Sequence, residues 1–117
     1  MKCVACRGVE PTLTDAEITE FHLQVPLWHV IERDGIKRIE RTFKSKNFIE
    51  ALAFTNKVGE IAEIEGHHPA MVTEWGRVTV TWWTHKIKGL HRNDFDMGAK
   101  TDQTYLRPST TRGVARS

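Results

Sequence analysis

Three of the six histidines, His67, His68 and His85, stand where the sequence predicts regular elements to end. His67 and His68 follow a long helical pattern, and His85 closes an alternating strand pattern. Side chains at such ends can reach a cleft while their backbone stays rigid. An imidazole, with an unperturbed pKa of about 6.5, both gives and accepts protons near neutrality. The three histidines therefore predict acid-base chemistry.

Two carboxylates accompany the histidines. Glu63 lies four residues before His67, where it can orient an imidazole, although the same spacing fits a solvated helix face. Asp94 is a helix cap by default and supports catalysis only if the final helix starts beside the histidines. The set can also be read as a histidine-ligated metal site. Pro69 favours an extended His68, so the two adjacent imidazoles should diverge, and we predict no metal.

Four tryptophans offer flat walls for a heteroaromatic ligand: Trp28, Trp75, Trp82 and Trp83. For any single tryptophan, packing in the core or at an interface is the more common role. Trp82 shares a strand face with Val78 and Val80, which predicts that it lies in the core. Trp83 shares the face of His85 and is the better candidate for an exposed role.

The elements that must position these residues follow from capping and periodicity. Thr14 to Glu17 has the form of a capping box, Asp34-Gly35 is a hairpin signal, and Gly66 suits a helix C-terminus. The predicted elements are a helix over 14–24, strands over 28–32 and 36–43, a helix over 47–66, strands over 71–75 and 78–85, and a helix from Asn93 or Asp94 to 106. The order α-β-β-α-β-β-α predicts an α+β fold, with an antiparallel sheet covered by helices on one face.

Composition limits the classes of function. The chain has 117 residues and a formal net charge of +2, with its cations mostly interleaved with acids, which does not favour a nucleic-acid binder. No apolar run approaches the roughly 20 residues needed to span a bilayer, and the N-terminus lacks a secretory apolar core. We expect a cytoplasmic protein with no membrane partner. Because a chain of this size has a small core, self-association would help to stabilise its fold.

The two ends of the chain are expected to contribute little. Residues 1–12 are predicted to be a flexible segment and residues 107–117 a disordered basic tail, which leaves one domain over 13–106. Cys3 and Cys6 form a C-x-x-C pair that could serve redox chemistry or half of a zinc site. With no other cysteine in the chain, we predict neither role.

The spaced set resembles the pterin-4a-carbinolamine dehydratase family. Glu63 is followed after three residues by His67-His68-Pro69, then after five by Trp75, after nine by His85 and after eight by Asp94. The similarity extends through the Trp28 region and the helix after Asn47, and covers roughly residues 13–103. Two departures, Gly66 and the paired tryptophans before Thr84, affect the width of the expected pocket.

The resemblance implies a four-stranded antiparallel sheet with helices on one face, assembled as a homodimer or homotetramer. It implies 4a-hydroxytetrahydropterin as substrate, quinonoid dihydropterin as product, and no metal or organic cofactor. His67 and His85 are the implied acid and base, His68 holds the substrate, and Glu63 and Asp94 support them. The residues expected to contact the substrate are His68, Trp28, Trp75 and Trp83.

A second hypothesis comes from another class. Animal members of the family that the chain resembles also act as dimerisation partners of a transcription factor, so the chain could be a protein-binding module. Apolar surface on its helices would serve self-assembly or a foreign partner equally well.

Overall fold

The structure, a computed structural model, describes residues 11–106. Its elements are α1 (Asp15–His22), β1 (His29–Arg33), β2 (Ile36–Lys44), α2 (Phe48–Glu65), β3 (Ala70–Glu74), β4 (Arg77–Trp82), a 3-10 turn (His85–Ile87) and α3 (Arg92–Leu106). The order and the α+β class are those predicted. The tail over 107–117, residues 1–10 of the N-terminal segment and both cysteines lie outside the described residues.

All four strands pair antiparallel, in the order β1-β2-β4-β3. The β1–β2 hairpin turns through Asp34 and Gly35, which both have positive φ, at 56° and 74°, as an Asp-Gly hairpin turn requires. In the second hairpin, Ala70 at the start of β3 faces Thr81 near the end of β4. The residues before β3 and those after β4 therefore meet at one end of the sheet.

The hydrophobic core lies between the sheet and the helices. From the strands it takes Ile39, Phe43, Val78, Val80 and Trp82, and from α2 and α3 it takes Ala51, Phe54, Val58, Phe95 and Met97. Trp82 is fully buried as predicted, and its indole N–H donates to Thr101 Oγ1 at 3.1 Å. This bond links β4 to α3 inside the core.

The caps at the start of α1 and at the end of α2 were predicted correctly, whereas the end of α1 was not. Thr14 and Glu17 make both bonds of the capping box, and Gly66 closes α2 in the left-handed region with φ 69°. However, α1 ends at His22 rather than near Gln24, because the chain tightens there into backbone bonds of i to i+3 type.

The predicted strand to His85 is three residues too long. Thr84 leaves the sheet and forms a bridge with Gly89, with Thr84 N–H donating to Gly89 O at 2.8 Å. The chain therefore turns back after Trp82, and His85 opens a 3-10 turn instead of ending a strand.

Two helix glycines provide a matched test of this packing. A Cβ built on Gly98 of α3 would lie 3.1 Å from Ile39 Cδ1, whereas one on Gly59 of α2 would meet nothing within 4 Å. We expect Gly98→Val to lower the free energy of unfolding by about 1–3 kcal/mol through overpacking. Gly59→Ala should raise it by up to about 1 kcal/mol, because alanine is the better helix former. Urea unfolding followed by circular dichroism measures both, and wild-type stability of Gly98→Val would contradict the close approach of α3 to the sheet.

Candidate active site

The three histidines singled out in the sequence come together at the sheet end where β3 begins and β4 finishes. His67 and His68 follow the Gly66 cap of α2, and His85 begins the 3-10 turn after β4. A pocket of about 330 Å³ is lined by Gly66, His67, His68, His85 and Lys86. This is within the size range of small-molecule sites.

His67 is held by a buried carboxylate. Its Nε2 lies 2.5 Å from Asp94 Oδ1, and the exposed fractions of the two side chains are 2% and 0%. Because an ionised carboxylate only accepts, Nε2 carries the hydrogen in this contact. The imidazole also stacks on Trp82, with ring centroids 5.5 Å apart and planes within 11°. The plane and position of the His67 ring are thus fixed from two directions.

Asp94 also organises the start of α3. Its Oδ2 accepts from the Thr84 hydroxyl at 2.8 Å and from the His91 backbone N–H at 2.9 Å. In turn, His91 Nδ1 accepts from the Asn93 backbone N–H at 3.2 Å. These bonds are close to a capping box with His91 at the cap, except that the His91 ring accepts from the second helical residue instead of the third. The predicted cap at Asn93 or Asp94 was therefore two to three residues late. The helix does start beside the histidines, which was the condition for a supporting role of Asp94.

His68 faces solvent, where Glu63 contacts it. Its Nε2 lies 2.6 Å from Glu63 Oε2, with exposed side-chain fractions of 59% and 77%. The adjacent His67 turns inward to Asp94, so the two imidazoles diverge as the following Pro69 predicts. An exposed pair of this kind contributes little to stability, and its effect is to orient the His68 ring.

His85 is exposed and stacks on Trp83. Their ring centroids are 4.3 Å apart and their planes lie within 10°. Within residues 11–106, neither ring nitrogen of His85 has a hydrogen-bond partner. Lys86, which also lines the pocket, was not anticipated, because only the 3-10 turn brings a residue after His85 to the same opening.

The structure does not bring the other two predicted substrate contacts, Trp28 and Trp75, to this pocket. Trp28 is buried in the core, where its indole N–H donates to Asp102 Oδ1 at 2.8 Å and its ring packs edge-on against Phe43. Trp75 is 74% exposed in the β3–β4 turn, at the hairpin end opposite the histidines. Of the three tryptophans predicted to contact the substrate, Trp83 is the one that lies beside a site histidine.

The metal interpretation finds no support in the described part of the chain. Over residues 11–106, no group of three histidine, cysteine, aspartate or glutamate side chains has an arrangement that could hold a metal ion.

No helix in the same range is long and apolar enough to cross a membrane.

The family model and the known proteins that the chain resembles in sequence or fold are all described as pterin dehydratases. The family model described as pterin 4 alpha carbinolamine dehydratase matches residues 11–104. A curated protein of Nitrosococcus oceani, named "Putative pterin-4-alpha-carbinolamine dehydratase", is 61% identical over 103 residues, which cover 88% of this chain and 91% of the relative. The crystal structure titled transcriptional coactivator/pterin dehydratase from Brucella melitensis matches with a TM-score of 0.72 and 32% identity, covering 80% of this chain and 98% of the other.

The α+β fold, with three histidines gathered at one end of its sheet, is thus the fold of the pterin dehydratase structure that it matches. The chain belongs to the pterin-4a-carbinolamine dehydratase family.

The two carboxylates of the site should differ sharply in their effect on stability. Asp94→Ala leaves the His67 ring, the Thr84 hydroxyl and the His91 N–H without their buried acceptor, so we expect the free energy of unfolding to fall by about 3–5 kcal/mol. Asp94→Asn keeps one oxygen acceptor, so its free energy of unfolding should fall by less than that of Asp94→Ala. The control, Glu63→Ala, should leave stability nearly unchanged because its contact is exposed. Chemical denaturation measures all three, and equal effects of Asp94→Ala and Glu63→Ala would contradict the buried role of Asp94.

Proposed function

We propose that the protein removes water from 4a-hydroxytetrahydropterin and releases quinonoid dihydropterin, by acid-base catalysis from histidines. The observation that carries the proposal is the convergence of three imidazoles, from the end of α2 and from the 3-10 turn after β4, on one pocket. Membership of the family supports the pterin substrate class. The form with a biopterin side chain, 4a-hydroxytetrahydrobiopterin, is the substrate we propose for the assay.

The chemistry requires two proton transfers. One group removes the proton from N5 of the tetrahydropterin, and the electron pair left on N5 forms a double bond to C4a as the C4a–oxygen bond breaks. A second group protonates the departing hydroxyl, because hydroxide is a poor leaving group. Substrate and product differ only by one water, so the step needs neither an oxidant nor a reductant. Imidazoles are suited to both transfers near neutral pH.

We assign the acid and base to His67 and His85, which approach the pocket from different elements. The contact with Asp94 keeps His67 in one orientation, while His85 presents an exposed ring on the 3-10 turn. His68, oriented by Glu63, is assigned to substrate binding. Positioned proton donors and acceptors of this kind contribute about 10² to 10⁴ in rate.

His67→Ala and His85→Ala should therefore each lower kcat by about 10² to 10⁴, because each removes one of the two proton-transfer groups. Stopped-flow absorbance of the quinonoid product, with the rate without protein subtracted, measures the loss. His29→Ala serves as the matched control, since His29 is an exposed residue on β1 outside the pocket. Wild-type rates for both site variants would refute the assignment.

A second candidate function is protein association, favoured by two observations. The related Brucella melitensis structure is titled a transcriptional coactivator as well as a pterin dehydratase. On this chain the first turns of α2 expose Phe48, Ile49 and Leu52, with exposed fractions of 42%, 71% and 38%. We call these three residues the α2 apolar patch, and propose that it contacts a second copy of the chain in a homodimer or homotetramer.

The double variant Ile49→Lys, Leu52→Lys should shift the protein toward monomer, because two buried charges would face the partner copy. Sedimentation equilibrium measures the mass, and Glu60→Lys, which also adds two positive charges at an exposed position of the same helix, is a control for charge alone. A wild-type monomer, or an assembly that the double variant leaves intact, would contradict the proposed contact.

A further inference from the structure

The three histidines differ in what orients them. His67 contacts the buried carboxylate of Asp94, and His68 contacts Glu63. Within residues 11–106, His85 has no hydrogen-bond partner for its ring, yet in the proposed reaction it must present a nitrogen at a fixed angle. Its ring stacks in parallel on Trp83, at 4.3 Å and 10°.

Trp83 is in turn held by Arg38 of β2. The Arg38 guanidinium carbon lies 4.1 Å from the centroid of the Trp83 ring, a distance typical of a cation-π contact. These three residues form what we call the Arg38–Trp83–His85 stack. Trp83 directly follows the last residue of β4, and Trp82 pairs with Ile39, so Arg38 is the β2 neighbour expected beside Trp83. The stack thus connects the rigid sheet to the 3-10 turn.

Arg38 has few other partners that would account for its position. It is only 8% exposed, its NH2 group donates to the Arg33 carbonyl at 3.0 Å, and its Nε has no partner within the described residues. The carboxylate nearest in sequence on the same strand, Glu40, accepts instead from Thr81 and pairs with Arg33. A buried cation is unfavourable unless something compensates for lost hydration, and here the Arg33 carbonyl and the π face of Trp83 both contribute.

We propose that Trp83 and Arg38 are positioning residues for His85, a role that rests on the proposed dehydratase function. Trp83 fixes the plane of the imidazole, and Arg38 fixes Trp83. A stacked face restrains the ring without engaging either nitrogen, whereas the contacts to His67 and His68 each engage an Nε2. His85 therefore keeps both nitrogens for proton exchange with the substrate. The indole surface covered by His85 is not available as a wall for the pterin.

Removing the stack should lower turnover rather than binding. We expect Trp83→Leu to reduce kcat by roughly ten- to a hundredfold, since misplacing a reacting group by about 1 Å costs about 10² in rate. KM should change far less, because the group affected acts in the transition state. Trp83→Phe keeps an aromatic face and should recover most of kcat. Arg38→Met keeps the buried stem without the charge, and its kcat should lie between those of Trp83→Leu and Trp83→Phe. The control Arg77→Met, at the far end of β4, should keep the wild-type kcat.

A spectroscopic signal tests the stack without reference to activity. An imidazole 4.3 Å from an indole lies in its ring current, so the Cε1–H resonance of His85 in the wild-type protein should be shifted upfield. Its assignment follows from its loss in His85→Ala. In Trp83→Leu the resonance should return to the ordinary histidine position, whereas in Trp83→Phe it should keep part of the shift.

The outcomes separate this inference from the proposed function. A wild-type protein without dehydratase activity would overturn the function and with it the positioning role, while the resonance would still report whether the stack forms. An active wild type with an unshifted His85 resonance would overturn the stack. Wild-type kcat in Trp83→Leu would overturn the positioning role even if the stack forms. If Trp83→Leu does not fold, wild-type kcat in Arg38→Met would do the same.

Discussion

The buried carboxylate of Asp94 joins three segments that are distant in sequence. It accepts from the imidazole after α2, from the Thr84 hydroxyl after β4 and from the backbone N–H that precedes α3. A fully buried anion is tolerated only when hydrogen bonds replace its hydration, so the three donors and the carboxylate require one another. This contact lets the end of α2, the end of β4 and the start of α3 share one position at the end of the sheet.

The same end of the sheet gives its three histidines three different environments. His67 lies in the interior between Trp82 and Asp94, His68 stands in solvent with Glu63, and His85 rests on an indole at the surface. Charges interact more strongly in the interior than in water. Three chemically identical side chains can therefore serve different purposes, which suits the proposed dehydration, since it must both take and give a proton at one ring.

Local signals in the sequence predicted most of the fold, but they did not predict contacts between residues that are distant in the sequence. The capping box at Thr14, the turn at Asp34-Gly35 and the left-handed Gly66 each depend on a few adjacent residues, and each is present. Trp28, in contrast, is placed by Asp102, which lies 74 residues away, and no local pattern reports that bond. The end of β4 was misplaced for a similar reason, since Thr84 takes Gly89 as its partner instead of a neighbour in the sheet.

Within the candidate site, residue types and spacing singled out the histidines but did not predict how the groups pair. They left Glu63 open between a solvated helix face and a supporting role, and Asp94 open between a helix cap and a supporting role. Glu63 was expected near a histidine at the helix end, and only the divergence of the two rings decides that it contacts His68. His67 and Asp94 are 27 residues apart, and their contact depends on how α3 packs beside the sheet. Arg38 carries no local signal at all, because its role arises from a neighbouring strand.

In the β3–β4 hairpin, the distance between the site histidines does not depend on how long the two strands are. His67 and His68 lie just before β3 and His85 lies just after β4, so all three flank the base of the hairpin. The turn at Trp75-Gly76 lies at its opposite end. Adding or removing one residue from each strand next to that tip would preserve the pairing at the base. The turn can therefore change in length or in sequence during evolution, for example to bind a different partner, without changing the distance between the imidazoles.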